Sequence, residues 1–336
     1  THHRLDDINL RLQALENEKE KLGLMVKNGG LEMEHDRSED RNRKYQTCLV
    51  DASRIVGREG DKNVCIHKLL EEPCNENFSV VPIVGLGGVG KTTLAKVLYD
   101  DKQVNDHFKL KAWVCVSDEW DSFSISKIIF QCVTPLCFLK FLNSEEVVAL
   151  RDQLRDKPFL LVLDDVWSES SDDWKSLVAP FMACAPGSKI ILTTRKTKLL
   201  KKLGCGKLDH LQSLSHDHGV CLFAQHALGA NNFDSHTRHK AHGEDIVRKC
   251  NGLPLALIAL GMLLRGKEEE VKWKEVVESE VWSVKAEGKI IPALRLSYRE
   301  LLANLKQLFA YCSLFPKHYW LGYFDYILIL CGASNT

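Results

Sequence analysis

The spacing of apolar positions changes character along this chain. Leu5, Ile8, Leu12, Leu15 and Leu22 recur at intervals of three and four with charged residues between them, which predicts an amphipathic helix or a short coiled-coil seam. From Gly29 to about Gln46 the stretch GGLEMEHDRSEDRNRKYQ is charged, aperiodic and poor in apolar residues, and it reads as a linker. Four short apolar runs follow, VVPIV, LKAWVCV, FLLVLDD and SKIILTT, alternating with helical stretches. That alternation predicts a parallel α/β sheet with buried strands. Pro82 sits inside the first run, where a central strand would need its N–H, and the sequence offers no remedy. Beyond about residue 200 strand signals thin out. HGVCLFAQHAL, GEDIVRKC, PLALIALGMLL, VKWKEVVESEVW and LRLSYRELLANLKQLFAYCSLFP all carry helical spacing, so a mainly helical module is expected after the sheet. No internal repeat of fixed period is visible.

Bulk properties narrow the class. A chain of 336 residues has room for roughly two domains with their own cores. Lys plus Arg and Asp plus Glu both total 45, so no global field draws the protein to nucleic acid or to an anionic membrane. The 12 cysteines are scattered without a C-x-x-C pair, which suits a reducing compartment. No signal peptide is visible, and the apolar run LPLALIALGMLL is too short to span a bilayer. A soluble, cytoplasmic protein is expected. The chain starts at Thr1 with residues that read as mid-helix, so a fragment of a longer protein is expected too.

The chemistry concentrates in GLGGVGKTTLAK, residues 85 to 96. Gly85, Gly90, Lys91 and Thr92 satisfy the phosphate-loop pattern G-x-x-x-x-G-K-[ST], and a strand-like run before it and a helical run after it supply the required context. Gly85, Gly87, Gly88 and Gly90 let the backbone curl so that successive N–H groups form a nest for phosphate oxygens. The next helix adds its positive end, Lys91 would reach the β- and γ-phosphates, and Thr92 would offer its hydroxyl to Mg²⁺. A flexible glycine-rich surface loop is the bland alternative; it would make both flanks coincidental.

Two further strand ends carry polar chemistry. PFLLVLDDVW, residues 158 to 167, runs from buried apolar residues into paired carboxylates. Asp164 is expected to hold Mg²⁺ through the metal's water. Asp165 is either the base that aligns water or a structural hydrogen-bond acceptor. The strand LKAWVCV lies between the two motifs in sequence, so their strands need not be neighbours in the sheet. P-loop proteins with such an inserted strand commonly carry glutamate where Asp165 stands. The shorter aspartate suits slow hydrolysis, since a shift of about 1 Å in a general base can cost on the order of 10²-fold in rate. Arg195, closing TTR at 193 to 195, could sense a γ-phosphate, or it could be a surface salt bridge. His236, His239 and His242 share a helical face, but no further ligand completes a zinc site, so a solvated helix is expected. LSHDHG reads as a polar turn. Cys132 and Cys137 read as buried small hydrophobes, and Trp113, Trp120, Trp167 and Trp174 as core or near-core.

These motifs together resemble the NB-ARC module of plant coiled-coil nucleotide-binding leucine-rich-repeat disease resistance proteins. SRIVGRE, GLGGVGKTTLAK, FKLKAWVCVSDEWDSFSISKII, LLVLDDVW, GSKIILTTR, CNGLPLALIALG and LRLSYRELLANLKQLFAYCSLFPK all match, from about Asp51 to Lys317. The resemblance implies a P-loop NTPase parallel sheet flanked by helices, followed by a helical module and a partial winged-helix module. It places the end of a coiled-coil domain at 1–24, a linker at 25–50, the P-loop domain at 51–212, the helical module at 213–278 and the partial winged helix, with an atypical tail, at 279–336. It also implies ADP held in a closed state, exchange for ATP on perception, and oligomerisation with itself or with related receptors. Val56 and Arg58 would then lie near the adenine, and Gly88, Val89, Gly90, Lys91, Thr92 and Thr93 would wrap the phosphates. Asp164 would serve Mg²⁺, Arg195 would sense the γ-phosphate, and Pro254 with Leu255 would close over the nucleotide.

The chain departs from that family after Lys317. HYWLGYFDYILILCGASNT lacks the expected continuation, no Met-His-Asp triplet occurs anywhere, and no leucine-rich repeats follow. An interrupted winged helix would expose apolar side chains such as Phe309, Leu314 and Phe315. Beside the switch stand two other readings. One is a true phosphoryl-transfer ATPase or kinase. The other is a remnant unable to lock nucleotide that still pairs with full-length receptors through its N-terminal helix. The resemblance allows at most a slow ATPase.

Overall fold

The computed structural model describes residues 55–71, 77–116, 121–133, 150–152, 154–203, 205, 210–283 and 290–313. The expected coiled-coil helix, the linker, Trp120, Cys137, Leu314, Phe315 and the atypical tail lie outside the described residues. Helix α1 (Glu59–Leu70) leads into strand β1 (Phe78–Val84), helices α2 (Lys91–Asp100) and α3 (Lys102–His107), β2 (Leu110–Cys115) and α4 (Ser122–Val133). Then come β3 (Phe159–Val166), α5 (Ser171–Val178), a 3-10 turn, β4 (Ser188–Thr194) and the short α6 (Lys198–Lys202). The four strands form one parallel sheet in the order β1-β4-β3-β2. The strands that carry the phosphate loop and the paired carboxylates are therefore not neighbours, and β4 separates them.

Both faces of the sheet are covered, which is why the strands read as continuous apolar runs rather than alternating ones. Leu160 and Val162 of β3 point into one core with Val81, Ile83 and Leu98, whereas Leu161 and Leu163 point into the other with Val114, Ile129 and Trp174. Pro82 has a physical explanation in this arrangement. Gly85 N–H donates to Thr194 O of β4, and Val84 O accepts on the opposite side from Leu211 N–H. Strand alternation then turns the Pro82 nitrogen away from β4, to the side of β1 where, among the described residues, no strand pairs with Pro82.

From α7 (His216–Leu228) onward the described elements are helical: α8 (Thr237–Cys250), α9 (Pro254–Leu264), α10 (Glu270–Glu278), α11 (Ile290–Arg299) and α12 (Ala303–Cys312). Two expectations need correction. LSHDHG is no free turn, because Ser215 caps α7 by accepting from His218 N–H and the rest of the stretch begins the helix. Nor is the histidine face of α8 uniformly solvated. His239 is buried and stacks on Trp273, with ring centroids 4.6 Å apart at 12°, and His242 pairs with Glu270 at 3.2 Å. The helical run around LRLSYRELLANLKQLF comprises α11 and α12. On α12, Phe309 is 62% exposed.

Two predictions follow from these placements. Pro82→Ala should change the free energy of unfolding by less than about 1 kcal/mol. Ile83→Pro, which removes an N–H directed at β4, should cost about 3 kcal/mol or more; denaturant midpoints compare the two. Burial pushes the His239 imidazole below its ordinary value; Arg238, His236 and His242 act in the same direction, and Glu270 opposes them. As pH falls below the ordinary 6.5, the unfolded chain binds a proton that the folded imidazole refuses. Stability should therefore fall on acidification, by up to about 1.4 kcal/mol per pH unit, until the folded imidazole also protonates. His239→Phe should remove that share of the slope in unfolding curves taken between about pH 7.5 and about pH 5.5.

Candidate functional site: a phosphate loop beside a carboxylate strand end

All four strands are parallel, so the polar residues that end β1, β3 and β4 come out at one edge of the sheet. The loop after β1 turns through Gly90, whose φ of 101° lies in the left-handed region that favours glycine. Lys91 begins α2 immediately after it. The lysine is buried, and its Nζ donates to Gly85 O at 3.1 Å and Leu86 O at 2.9 Å, so the ammonium lies across the loop near the positive end of the helix. Gly87, Gly88 and Val89 form the body of the loop, and Thr93 faces outward on the first turn of α2.

The end of β3 supplies oxygen ligands. Asp164 is buried, and its Oδ1 accepts from Thr92 Oγ1 at 2.9 Å and from Thr193 Oγ1 at 2.6 Å. Cys115 Sγ lies 4.0 Å from the other carboxylate oxygen, Oδ2. Beyond Asp164 the register with β4 slips between Leu163 and Val166, and Asp165 adopts a φ of 58°. A non-glycine residue in that region is strained, and the Asp165 N–H is held by Thr193 Oγ1 at 2.8 Å.

Arg195 completes the edge from β4. Its guanidinium lies against Gly87, where an added Cβ would stand 3.0 Å from Nη1, and its Cζ is 5.2 Å from the centre of the Trp167 ring. The second contact is a cation–π arrangement. Burial holds the Lys91 ammonium below its ordinary pKa, the Arg195 charge lowers it further, and Asp165 and Asp164 pull it back up. Two cations thus converge on a glycine loop and feel each other's repulsion, which an anion between them would relieve.

The remaining expected residues are placed as follows. Arg58 is buried, donates from Nη2 to Val89 O at 2.8 Å, and pairs with Asp61 at 3.0 Å, so it braces the underside of the loop. Val56 packs half-buried against the core shared by the sheet and the helical module. Pro254 occupies the first turn of α9, and Leu255 N–H donates to Gly88 O at 3.1 Å. The tip of α9 is thereby joined to the loop itself. Four residues of the site escaped the sequence reading. Thr193 was noted only as a polar strand end, and Trp167 only as near-core. Gly57 presses so closely on His218 of α7 that a Cβ there would be 2.5 Å from the ring; the position of Gly57 between Val56 and Arg58 is a local signal for the glycine, and His218 has none.

The residues present fit a nucleoside polyphosphate with a hard cation. The cations and the N-terminus of α2 suit phosphate, and the hydroxyl of Thr92 beside the carboxylate of Asp164 is an all-oxygen pair of the kind Mg²⁺ accepts. No cluster of three or more His, Cys, Asp or Glu side chains able to hold a metal occurs among the described residues. Mg²⁺ needs none, because it usually keeps waters and phosphate oxygens among its ligands.

Sheet, loop and carboxylate strand end define a P-loop NTPase fold. The NB-ARC domain family matches residues 58–232, and the chain belongs to that family. RPP13-like protein 1 of Arabidopsis thaliana, named for disease resistance, is 38% identical over 319 residues, which cover 94% of this chain and 29% of that protein. Disease resistance protein RGA2 of Solanum bulbocastanum is 34% identical over 319 residues, covering 94% of this chain and 32% of that one. The chain thus spans less than a third of the length of either of these relatives. Among solved structures, a STAND protein with a tetratricopeptide repeat sensor from Pyrococcus horikoshii is similar at a TM-score of 0.47 and 16% identity, covering 78% of this chain and 35% of that one. Among the described residues, no helix is long and apolar enough to cross a membrane.

Arg58→Met should lower the stability of the nucleotide-free protein by about 1.5–3 kcal/mol, because it strips a charged donor from the buried Val89 carbonyl. Chemical denaturation without added ligand measures this. An Arg58 that served only the base would leave that stability unmoved.

Proposed function

We propose that the chain is the nucleotide-operated switch of a plant immune receptor. ADP holds a closed, autoinhibited state, ATP replaces it on perception, and slow hydrolysis resets the device. The observation that carries this reading is the convergence of Lys91 and Arg195 on a loop whose Gly88 carbonyl is bonded to the tip of α9. A ligand shifts an equilibrium only through unequal contacts in the two states. A loop tied to a second module supplies such an inequality, since changes at the phosphates alter the footing of α9. The disease resistance names of the relatives supply the biological setting.

In this reading Gly85, Gly87, Gly88, Val89, Gly90 and Thr93 cradle the phosphates. Lys91 exchanges its loop carbonyls for β- and γ-phosphate oxygens, and Arg195 leaves Trp167 to report a γ-phosphate. Val56 and Arg58 flank the base, while Pro254 and Leu255 cover the nucleotide. Thr92 and Asp164 hold Mg²⁺, which when bound offsets phosphate charge and polarises the transferred group. Asp165 orients the attacking water or takes its proton. Its left-handed backbone and short side chain suit slow turnover. The P-loop domain at 51–212, the helical module at 213–278 and the partial winged helix at 279–336 are the proposed moving parts. Pairing with its own kind or with related receptors, in the cytoplasm, completes the proposal.

Chromatography of the denatured, purified chain identifies what it carried. Near-stoichiometric ADP, absent from Lys91→Arg, is the expected result, with ATP turnover well below about 1 s⁻¹. A chain that carries no nucleotide and takes up no added ADP or ATP overturns the reading. Turnover at kinase-like rates replaces the switch with an enzyme.

A further inference from the structure

Thr193 sits at the centre of the carboxylate edge without being one of the groups assigned to nucleotide or metal. It is fully buried, at 0% exposure. Its hydroxyl makes two bonds of opposite sense: the proton goes to Asp164 Oδ1 at 2.6 Å, and a lone pair receives the Asp165 N–H at 2.8 Å. A hydroxyl has one proton to donate. An ionised carboxylate can only accept and a backbone N–H can only donate, so the orientation of the Thr193 hydroxyl is determined on both sides. Valine could fill the same volume and satisfy neither partner.

The two partners are the two carboxylate residues that the site depends on, and each needs an external hold. Asp165 stands in a left-handed conformation at the point where β3 slips register against β4. Such strain persists only where the surroundings over-determine it. On the far side of the slip, Thr194 Oγ1 donates to Val166 O at 2.7 Å, so consecutive threonines of β4 grip both flanks of the irregularity. Asp164 Oδ1 takes its second hydrogen bond from Thr92 Oγ1. In the proposed function Thr92 also turns an oxygen lone pair to the cation, while its proton can stay on Asp164. Thr193 is the partner of Oδ1 to which that function gives no role at the cation, so it holds the carboxylate from behind.

We infer that Thr193 is a positioning residue for the metal-binding carboxylate: through Asp164 it sets the Mg²⁺ dependence of nucleotide affinity, and through the Asp165 N–H it sets the direction of the water-facing carboxylate. The inference rests on the nucleotide-switch reading. Groups that orient a metal ligand from behind typically change metal affinity by about 10–100-fold when removed.

The test is calorimetric titration of ADP into the nucleotide-stripped full chain, with Mg²⁺ and with EDTA, for the wild type, Thr193→Val and Thr193→Ser. The expected result is that Thr193→Val binds ADP in EDTA within about twofold of wild type but loses about 10–100-fold of the gain that Mg²⁺ provides. Thr193→Ser, which keeps the hydroxyl, restores that gain. Equal losses with and without Mg²⁺ would show a purely structural threonine and overturn the inference, as would an undiminished Mg²⁺ gain in Thr193→Val. Either result leaves the switch reading standing, because the wild type still binds ADP. A wild type that binds no ADP under either condition removes the switch reading and this inference with it. If Thr193→Val gives no folded protein, Thr193→Cys preserves the size and weakens the donor, and the same comparison decides.

Discussion

The position of β4 between β1 and β3 governs this molecule. Every residue of β4 from Ser188 to Thr194 is buried and paired on both sides, and the inserted strand sets the phosphate-loop strand two strand spacings, about 9.6 Å, from the carboxylate strand. Into that gap β4 delivers Thr193 and Arg195. Without the insertion, β1 and β3 would be adjacent, and no side chain from a third strand would stand between the loop and the carboxylates. The register slip in β3 belongs to the same constraint. The ladder with β4 holds as far as Leu163, resumes at Val166, and leaves Asp165 turned out of it.

Each polar group at this edge already has a protein partner that a ligand could replace. Lys91 rests on two loop carbonyls, Thr92 on Asp164, and Arg195 on the Trp167 face. Buried polar atoms left without partners cost free energy, so a site that must exist both empty and filled needs interchangeable partners. Like-charge repulsion between Lys91 and Arg195 is the residual tension in this arrangement. It favours an anion without requiring any rearrangement of the sheet.

The helical module contributes to the site through backbone as much as through side chains. Leu255 donates its N–H to Gly88 O, and the His218 ring packs against Gly57. One apolar core runs from Val81 and Ile83 of β1 through Phe223 and Leu257 to Trp273. That continuity gives the proposed switch a mechanical basis, because a shift at the loop is resisted by packing that extends to α10.

Strand existence, their parallel arrangement, the phosphate loop and the paired carboxylates were legible in the linear sequence, because each depends on local chemistry: apolar runs of strand length, glycine spacing, and acids at a strand end. Helical spacing likewise marked the helical elements that follow the sheet, although α1 was left unread. Strand order was not legible, since nothing local to β4 says which neighbours it will take. For the same reason Pro82 reads as misplaced until its nitrogen is seen to face away from β4, and Thr193 reads as an ordinary strand-end hydroxyl until Asp164 and Asp165 are brought to it across 29 and 28 residues of chain. His239 shows the same limit, because a histidine at helical spacing reads as solvated until Trp273 covers it. By itself the sequence determined which groups could do chemistry and which segments could form elements. Only the tertiary structure decided which groups meet, because hydrogen bonds and burial act between residues that are close in space, and for these residues that closeness is set by the pairing of distant strands.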